Sequence, residues 1–305
     1  MTTTTIPIKF VVGSRKLFSV RRSLDTVAFQ LEELISGDLP LLPDASKDSD
    51  GLRVLSAPVT ALAGIRKRFP GYMIGGLQTY QRYYIEMEGR SYKDYLLGFS
   101  SKTRSTLNRK RRKLIDLSGG SLDLRDFHQE DQVEAFMADV TPLSRRTYQA
   151  RLLDAGLPEG QEDIAGLKAL ARADELRAYV LYLNRRAISY LCLPTSGRIV
   201  TYAHLGYDPD YAHLSVGTVL QMEVLERLFG EARYRYFDFT EGEGTHKQMF
   251  GTASTAACSF FLLRPSITNY LLVGLLNAFD SGVGVTKRLA QRGGALAPIR
   301  RILRG

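Results

Sequence analysis

Apolar and polar positions change their period along this chain, and those changes mark out its elements. Residues 36–51 are rich in Gly, Pro, Asp and Ser and read as an exposed loop. Residues 59–69 predict a helix that stops at Pro70-Gly71, and residues 77–87 alternate as a strand. From Ser91 onward a helical period predicts helices over 92–98 and 101–117, the second capped by Ser101 and closed by Gly119-Gly120. A short strand over 121–127 precedes a helical pattern over 131–153, which Pro142 is expected to kink or split. A further helix is predicted over 162–173.

Strand patterns then arrive in a row. Residues 176–183, 187–193 and 198–205 alternate, separated by turns at Asn184-Arg185-Arg186 and Pro194-Thr195-Ser196-Gly197, which makes an antiparallel meander. A helix over 216–229, a strand over 235–239, a helical turn over 246–250 and a strand over 257–264 complete the order. No internal repeat is visible, and the threonine run at the start is the one low-complexity segment.

With 305 residues and 44% hydrophobic content, the chain can bury a sizeable core. Cys192 and Cys258 sit in apolar stretches without CxxC spacing, so a disulfide framework is not expected and a reducing cytoplasm is. The start lacks a charged segment followed by an apolar one, and the apolar run 267–279 is too short to span a bilayer. The net charge of +9 is uneven: residues 102–113 carry seven basic residues and no acidic one, and residues 264–305 carry seven against Asp280. Nucleic acid, an anionic membrane and a polyphosphate ligand all fit that balance.

Two segments carry candidate chemistry. Gly206-Tyr207-Asp208 leads into a helix opening at Ser215-Val216-Gly217-Thr218, where free backbone N–H groups and the helix dipole suit a pyrophosphate. An ordinary helix start with Ser215 as N-cap explains the same residues. In the second segment Glu241, Glu243, His246 and Lys247 follow the strand end Phe237-Asp238-Phe239. Glu241 or His246 fits a base, Lys247 an anion contact, Tyr207 an acid, and Asp238 an orienting group for the loop; a solvated polar loop is the alternative. On the basic helix, Arg104, Arg109 or Lys110 meets a phosphate or an anionic acceptor, or else the helix presents a solvated face. His128, His204, His213 and His246 lack paired ligand spacing, so no metal site is expected. No GxSxG elbow or Walker sequence occurs.

These residues carry a resemblance. Residues 95–258 resemble the GNAT-type domain of CelD-like acetyltransferases and, more distantly, the Fem-type aminoacyl transferases. Arg104-Ser-Thr-Leu-Asn-Arg109, Gly206-Tyr207-Asp208 with the Ser215 to Leu220 helix start, and Phe237-Asp238-Phe239 with Lys247 and Phe250-Gly251 carry it. The family pattern has glycine after the Asp-Phe pair, where this chain has Thr240, and an aromatic before the lysine, where it has His246. A proline before the helix glycine is replaced by Val216.

The resemblance implies an α/β (α+β) GNAT-like fold with a mixed, mostly antiparallel sheet flanked by helices. The expected division is a small N-terminal subdomain over 1–95, an acyltransferase domain over 96–264 and a basic amphipathic tail over 265–305. It implies an acyl-CoA donor, acetyl-CoA foremost, with Gly206, Ser215, Val216, Gly217 and Thr218 at the cofactor. The acceptor is an amine or hydroxyl on a small molecule derived from a sugar or amino acid. The Fem-like alternative uses aminoacyl-tRNA. A third reading is a non-catalytic protein on the same fold that binds a membrane or partner. The tail either rests on an anionic membrane at the inner face or packs on the N-terminal subdomain.

Overall fold

Local chemistry decides where each element of this chain begins and bends. A computed structural model describes residues 3–12, 15–37, 40–147, 156–242 and 244–292. They form two compact units: residues 1–82, 241–243 and 254–305 make the first, and 83–240 with 244–253 the second. The chain leaves the second unit after Thr240, returns to it at Gly244 and leaves it again after Ala253.

In the first unit β1 (Thr3–Val12) and β2 (Arg15–Ala28) form an antiparallel hairpin. Pro7 is tolerated in β1 because that strand lies at the sheet edge, where a missing N–H costs no ladder bond. Next, β2 runs parallel to β3 (Gly51–Pro58), and β3 pairs antiparallel with β11 (Ala253–Leu263) beside β4 (Met73–Glu86). Helices α1 (Leu31–Ser36), α2 (Leu62–Arg68) and α9 (Ile267–Arg292) accompany this sheet. The hairpin, α1 and β3 escaped the sequence pattern. The loop after α1 is less exposed than expected, since Leu42, Ala45 and Ser49 are buried. The basic run at 299–304 lies outside the described residues.

The second unit begins with α3 (Tyr92–Leu97) and α4 (Ser101–Leu117). Ser91 and Asp94 cap α3 reciprocally, and Ser100, one residue before the expected Ser101, caps α4 by accepting from the Thr103 N–H. After β5 (Asp123–Asp126), α5 (Val133–Arg146) runs without a break through Pro142, so the expected split does not occur. The apolar face formed by Val133, Phe136, Met137 and Val140 is buried and holds the helix in place. The predicted extension beyond residue 147 falls outside the described residues. Helix α6 (Gln161–Arg172) leads to the antiparallel strands β6 (Leu176–Leu183) and β7 (Arg186–Ser196).

The expected strand over 198–205 is two strands, β8 (Ile199–Thr201) and β9 (His204–Tyr207). Both pair antiparallel with β7, while β8 also runs parallel to β10 (Tyr236–Asp238). The end of β4 closes the other side of β10, antiparallel through Tyr84 to Glu86. Helix α7 (Val216–Glu231) fills the core with Val216, Val219, Leu220, Leu225 and Leu228, and α8 (Thr245–Phe250) follows β10. The sheet in each unit is mixed and mostly antiparallel, with helices flanking it. Among the described residues no helix is long and apolar enough to cross a membrane.

Gly51 shows how tightly β3 and β11 approach. Its φ is +147°, and a Cβ there would lie 2.1 Å from the Leu262 carbonyl oxygen. Gly51→Ala is expected to destabilise the protein by about 3 kcal/mol through backbone displacement, read as a lowered urea midpoint.

Candidate active site

The break between β8 and β9 creates the site. Just past β8, Tyr202 donates its backbone N–H to the Asp238 carbonyl of β10 at 2.9 Å, and Ala203 N–H turns back to Thr201 O at 2.9 Å. From there β9 follows β7, while Phe239 N–H bonds Tyr83 O at 3.1 Å and stays with β4. The strands part and leave a pocket of about 590 Å³ between them. Its walls are Ser189 to Leu191, Leu205 to Tyr207 and Phe239-Thr240; the start of α7 and the first turn of α8 complete it.

Of the residues the sequence singled out, Gly206, Tyr207, Ser215, Val216, Gly217, Thr218, His246 and Lys247 line this one pocket. Ser215 is left-handed, with φ 57° and ψ 39°, and its side chain makes no capping bond, contrary to its expected N-cap role. Instead its carbonyl accepts from the N–H groups of Thr218 at 3.0 Å and Val219 at 3.1 Å. Helix geometry leaves Val216 and Gly217 N–H without an intrahelical acceptor at the positive end of the dipole. The Val216 side chain is buried in the core.

The two glycines have different reasons to be glycine. A Cβ at Gly206 would lie 2.4 Å from the Tyr190 ring and 2.7 Å from Thr147 Cγ2, so packing behind β9 excludes a side chain. At Gly217 a Cβ would meet Tyr207 Cδ1 at 3.5 Å, an ordinary contact.

Buried charge holds the loop between β9 and α7. The Asp208 carboxylate is buried, accepts from Asp210 N–H at 3.1 Å, and receives both Arg146 at 2.8 Å and Arg186. Asp238 does similar work opposite: it is buried, and its Oδ1 accepts from Thr240 N–H at 2.8 Å. That bond accompanies a left-handed Thr240, φ 61°. A β-branched residue is strained there by roughly 1–3 kcal/mol.

His246 sits among aromatic rings, 4.7 Å from Phe250 and 6.2 Å from both Tyr202 and Phe239, although the residue keeps a solvent-exposed side. Its Nε2 lies 2.6 Å from Gln221 Oε1, which also accepts the Tyr202 hydroxyl at 3.2 Å. Burial of the ring, aided by the Lys247 cation, holds His246 below its ordinary value. Burial pushes the Tyr202 hydroxyl upward. The lowering favours the neutral imidazole, which has one nitrogen able to accept a proton. Tyr95 Oη donates to Phe250 O at 2.9 Å and ties down the end of α8.

Other singled-out residues lie elsewhere. Glu241 groups with the first unit and lines a separate groove there with Lys9, Arg53 and Gln78. Arg104 lines a smaller cleft of about 240 Å³ between α4 and α7 and donates to Phe99 O. Arg109 is exposed on α4 and lines neither cavity. Glu243 and the C-terminal basic residues Arg300, Arg301 and Arg304 lie outside the described residues. Sequence reasoning missed Tyr202 and Gln221. The signal for Gln221 was present: a polar residue inside the apolar run Val219-Leu220-Gln221-Met222. Burial pushes the Cys192 thiol up to about 12, and burial holds His204 low against the opposing Asp163 carboxylate. Among the described residues no cluster suits a metal ion.

Residues 101–248 match the family model for the acetyltransferase (GNAT) domain. No curated protein matches the sequence. Among solved structures, FemX aligns with TM-score 0.51 at 9% identity, covering 89% of this chain and 90% of that one. The C-terminal domain of a provisionally named lysylphosphatidylglycerol synthetase from Agrobacterium fabrum aligns with TM-score 0.50 at 12% identity, covering 75% and 72%. At such identities these likenesses show a shared fold.

The contrast between the glycines is testable. Gly206→Ala is expected to lose about 2 kcal/mol of stability by overpacking, whereas Gly217→Ala keeps the wild-type urea midpoint; equal midpoints for the two variants would refute the distinction.

Proposed function

We propose that the chain transfers an acyl group from an acyl-CoA thioester, acetyl-CoA foremost, to an amine or hydroxyl acceptor. The observation that supports this reading most is the meeting of the α7 start with His246 and Lys247 in one pocket. The Val216 and Gly217 N–H groups and the Thr218 hydroxyl receive the donor's pyrophosphate. The acceptor attacks the thioester carbonyl directly. His246 takes the acceptor's proton, the C–S bond breaks, and Tyr207 returns a proton to the departing thiolate. Lys247 supports negative charge on substrate or intermediate. No covalent enzyme intermediate is needed, because positioning and proton transfer supply the acceleration.

Calorimetry with acetyl-CoA and longer acyl-CoAs tests the donor: binding is expected, and none at millimolar ligand would overturn the reading. With a donor and acceptor in hand, His246→Gln is expected to lower kcat by about 100-fold or more. The sign of the pH dependence follows from the depressed imidazole: protonation removes the base only below the ordinary value of 6.5. The acid limb of kcat/KM therefore lies below pH 6.5, and a limb above it would refute His246 as base.

A second reading has support from the surface of α4. Lys102, Arg109, Arg112 and Lys113 are exposed along it, in a GNAT domain whose fold is shared with FemX. The donor would then be aminoacyl-tRNA, with α4 against the RNA backbone. That reading predicts tRNA binding that weakens about tenfold or more between 50 and 200 mM salt, lessened by Lys102→Glu with Arg109→Glu. Salt-independent binding would remove it. An anionic membrane surface is a further proposed partner, through the exposed Ile267, Tyr270 and Leu271 of α9.

A further inference from the structure

Gln221 lies fully buried in the middle of α7, one turn beyond Gly217, and does not itself line the pocket. Its amide oxygen receives two groups that do: His246 Nε2 at 2.6 Å and the Tyr202 hydroxyl at 3.2 Å. An amide oxygen can only accept, so the imidazole must bring its proton to that bond. The amide nitrogen on the same side chain has no hydrogen-bond partner among the described residues. A core that needed only shape at this position would be better served by leucine or methionine, which carry no donor to leave unpaired. The glutamine leaves a donor unpaired in the core, and what its oxygen does is hold a ring in the pocket.

We propose that Gln221 is a positioning residue that fixes His246 as the Nε2–H tautomer and leaves Nδ1 as the nitrogen that accepts the acceptor's proton. The inference rests on the reading of His246 as base and deepens it. Orientation follows from the same bond: the ring is held at one end by Gln221 and on its faces and edges by Tyr202, Phe239 and Phe250. The hydroxyl of Tyr202 fills the remaining lone pair of the amide oxygen and fixes the amide in turn. Lys247 on the same helix is the charge acting on the ring; Tyr202 and Gln221 are the polar groups facing it from the neighbouring elements. No water or metal is required to choose the tautomer.

The test is nitrogen-15 NMR of the imidazole in the full chain, combined with kinetics. In the wild type the Nε2–H tautomer is expected, with Nδ1 as the titrating nitrogen. Gln221→Leu, which matches the side chain in size and removes the orphan donor, is expected to stay folded and to mix the tautomers. Its kcat should fall at least tenfold while the donor's KM stays unchanged. Gln221→Glu keeps an acceptor for the same N–H and is expected to restore the tautomer, recover most of kcat and move the acid limb of the rate profile to higher pH. An Nδ1–H tautomer in the wild type would overturn the proposal, as would unchanged tautomer and kcat in Gln221→Leu. The wild-type spectrum needs no substrate and does not depend on the variant folding. If no thioester binds yet the Nε2–H tautomer is found, the donor assignment fails and the role of Gln221 in setting the ring stands.

Discussion

The whole site depends on where two neighbouring strands stop pairing. The bond from Tyr202 N–H to Asp238 O joins the chain just past β8 to β10, and the turn at Ala203 sends the chain along β7 alone. Parted strands normally leave unpaired backbone and empty space, both costly in a core. Here the space is bordered by a helix start, an aromatic cluster and one histidine, and it is open enough to admit a ligand.

Buried polar groups hold the two sides of that opening. Asp208, clamped by Arg146 and Arg186, sets the loop that delivers α7, and Asp238 holds the left-handed Thr240 on the facing strand. Ser215 and Thr240 thus put strained backbone on opposite borders of one cavity. Such strain persists when surrounding structure over-determines it. The surroundings here are two buried carboxylates and a layer of Tyr202, Phe237 and Phe239 rings packed at 5.2 to 5.5 Å.

Much of the second unit was legible in the chain. Helices α3, α4 and α7 and the strands β6 and β7 lie where the sequence pattern and its caps and turns predict them. The first unit was harder to read: the threonine-rich start hides the alternation of Ile6, Ile8 and Phe10 that buries one face of β1. Of the kink or split expected at Pro142, the split does not occur: α5 runs on from Val133 to Arg146. In the site, spacing brought out the Gly217 and His246 segments but could not separate Glu241 from His246. They are five positions apart, and the chain crosses between compact units in that interval.

By itself, the sequence determined which elements form and which residue types are available for chemistry, because period, capping and turn preference act over a few neighbouring positions. Tertiary structure alone decided that Tyr202, Gln221 and His246 share one hydrogen-bonded group, that Gly206 is small for packing, and that Glu241 faces another groove. Those outcomes depend on contacts between residues far apart in the chain, and on where a strand pairing ends. Neither leaves a periodic trace in the sequence.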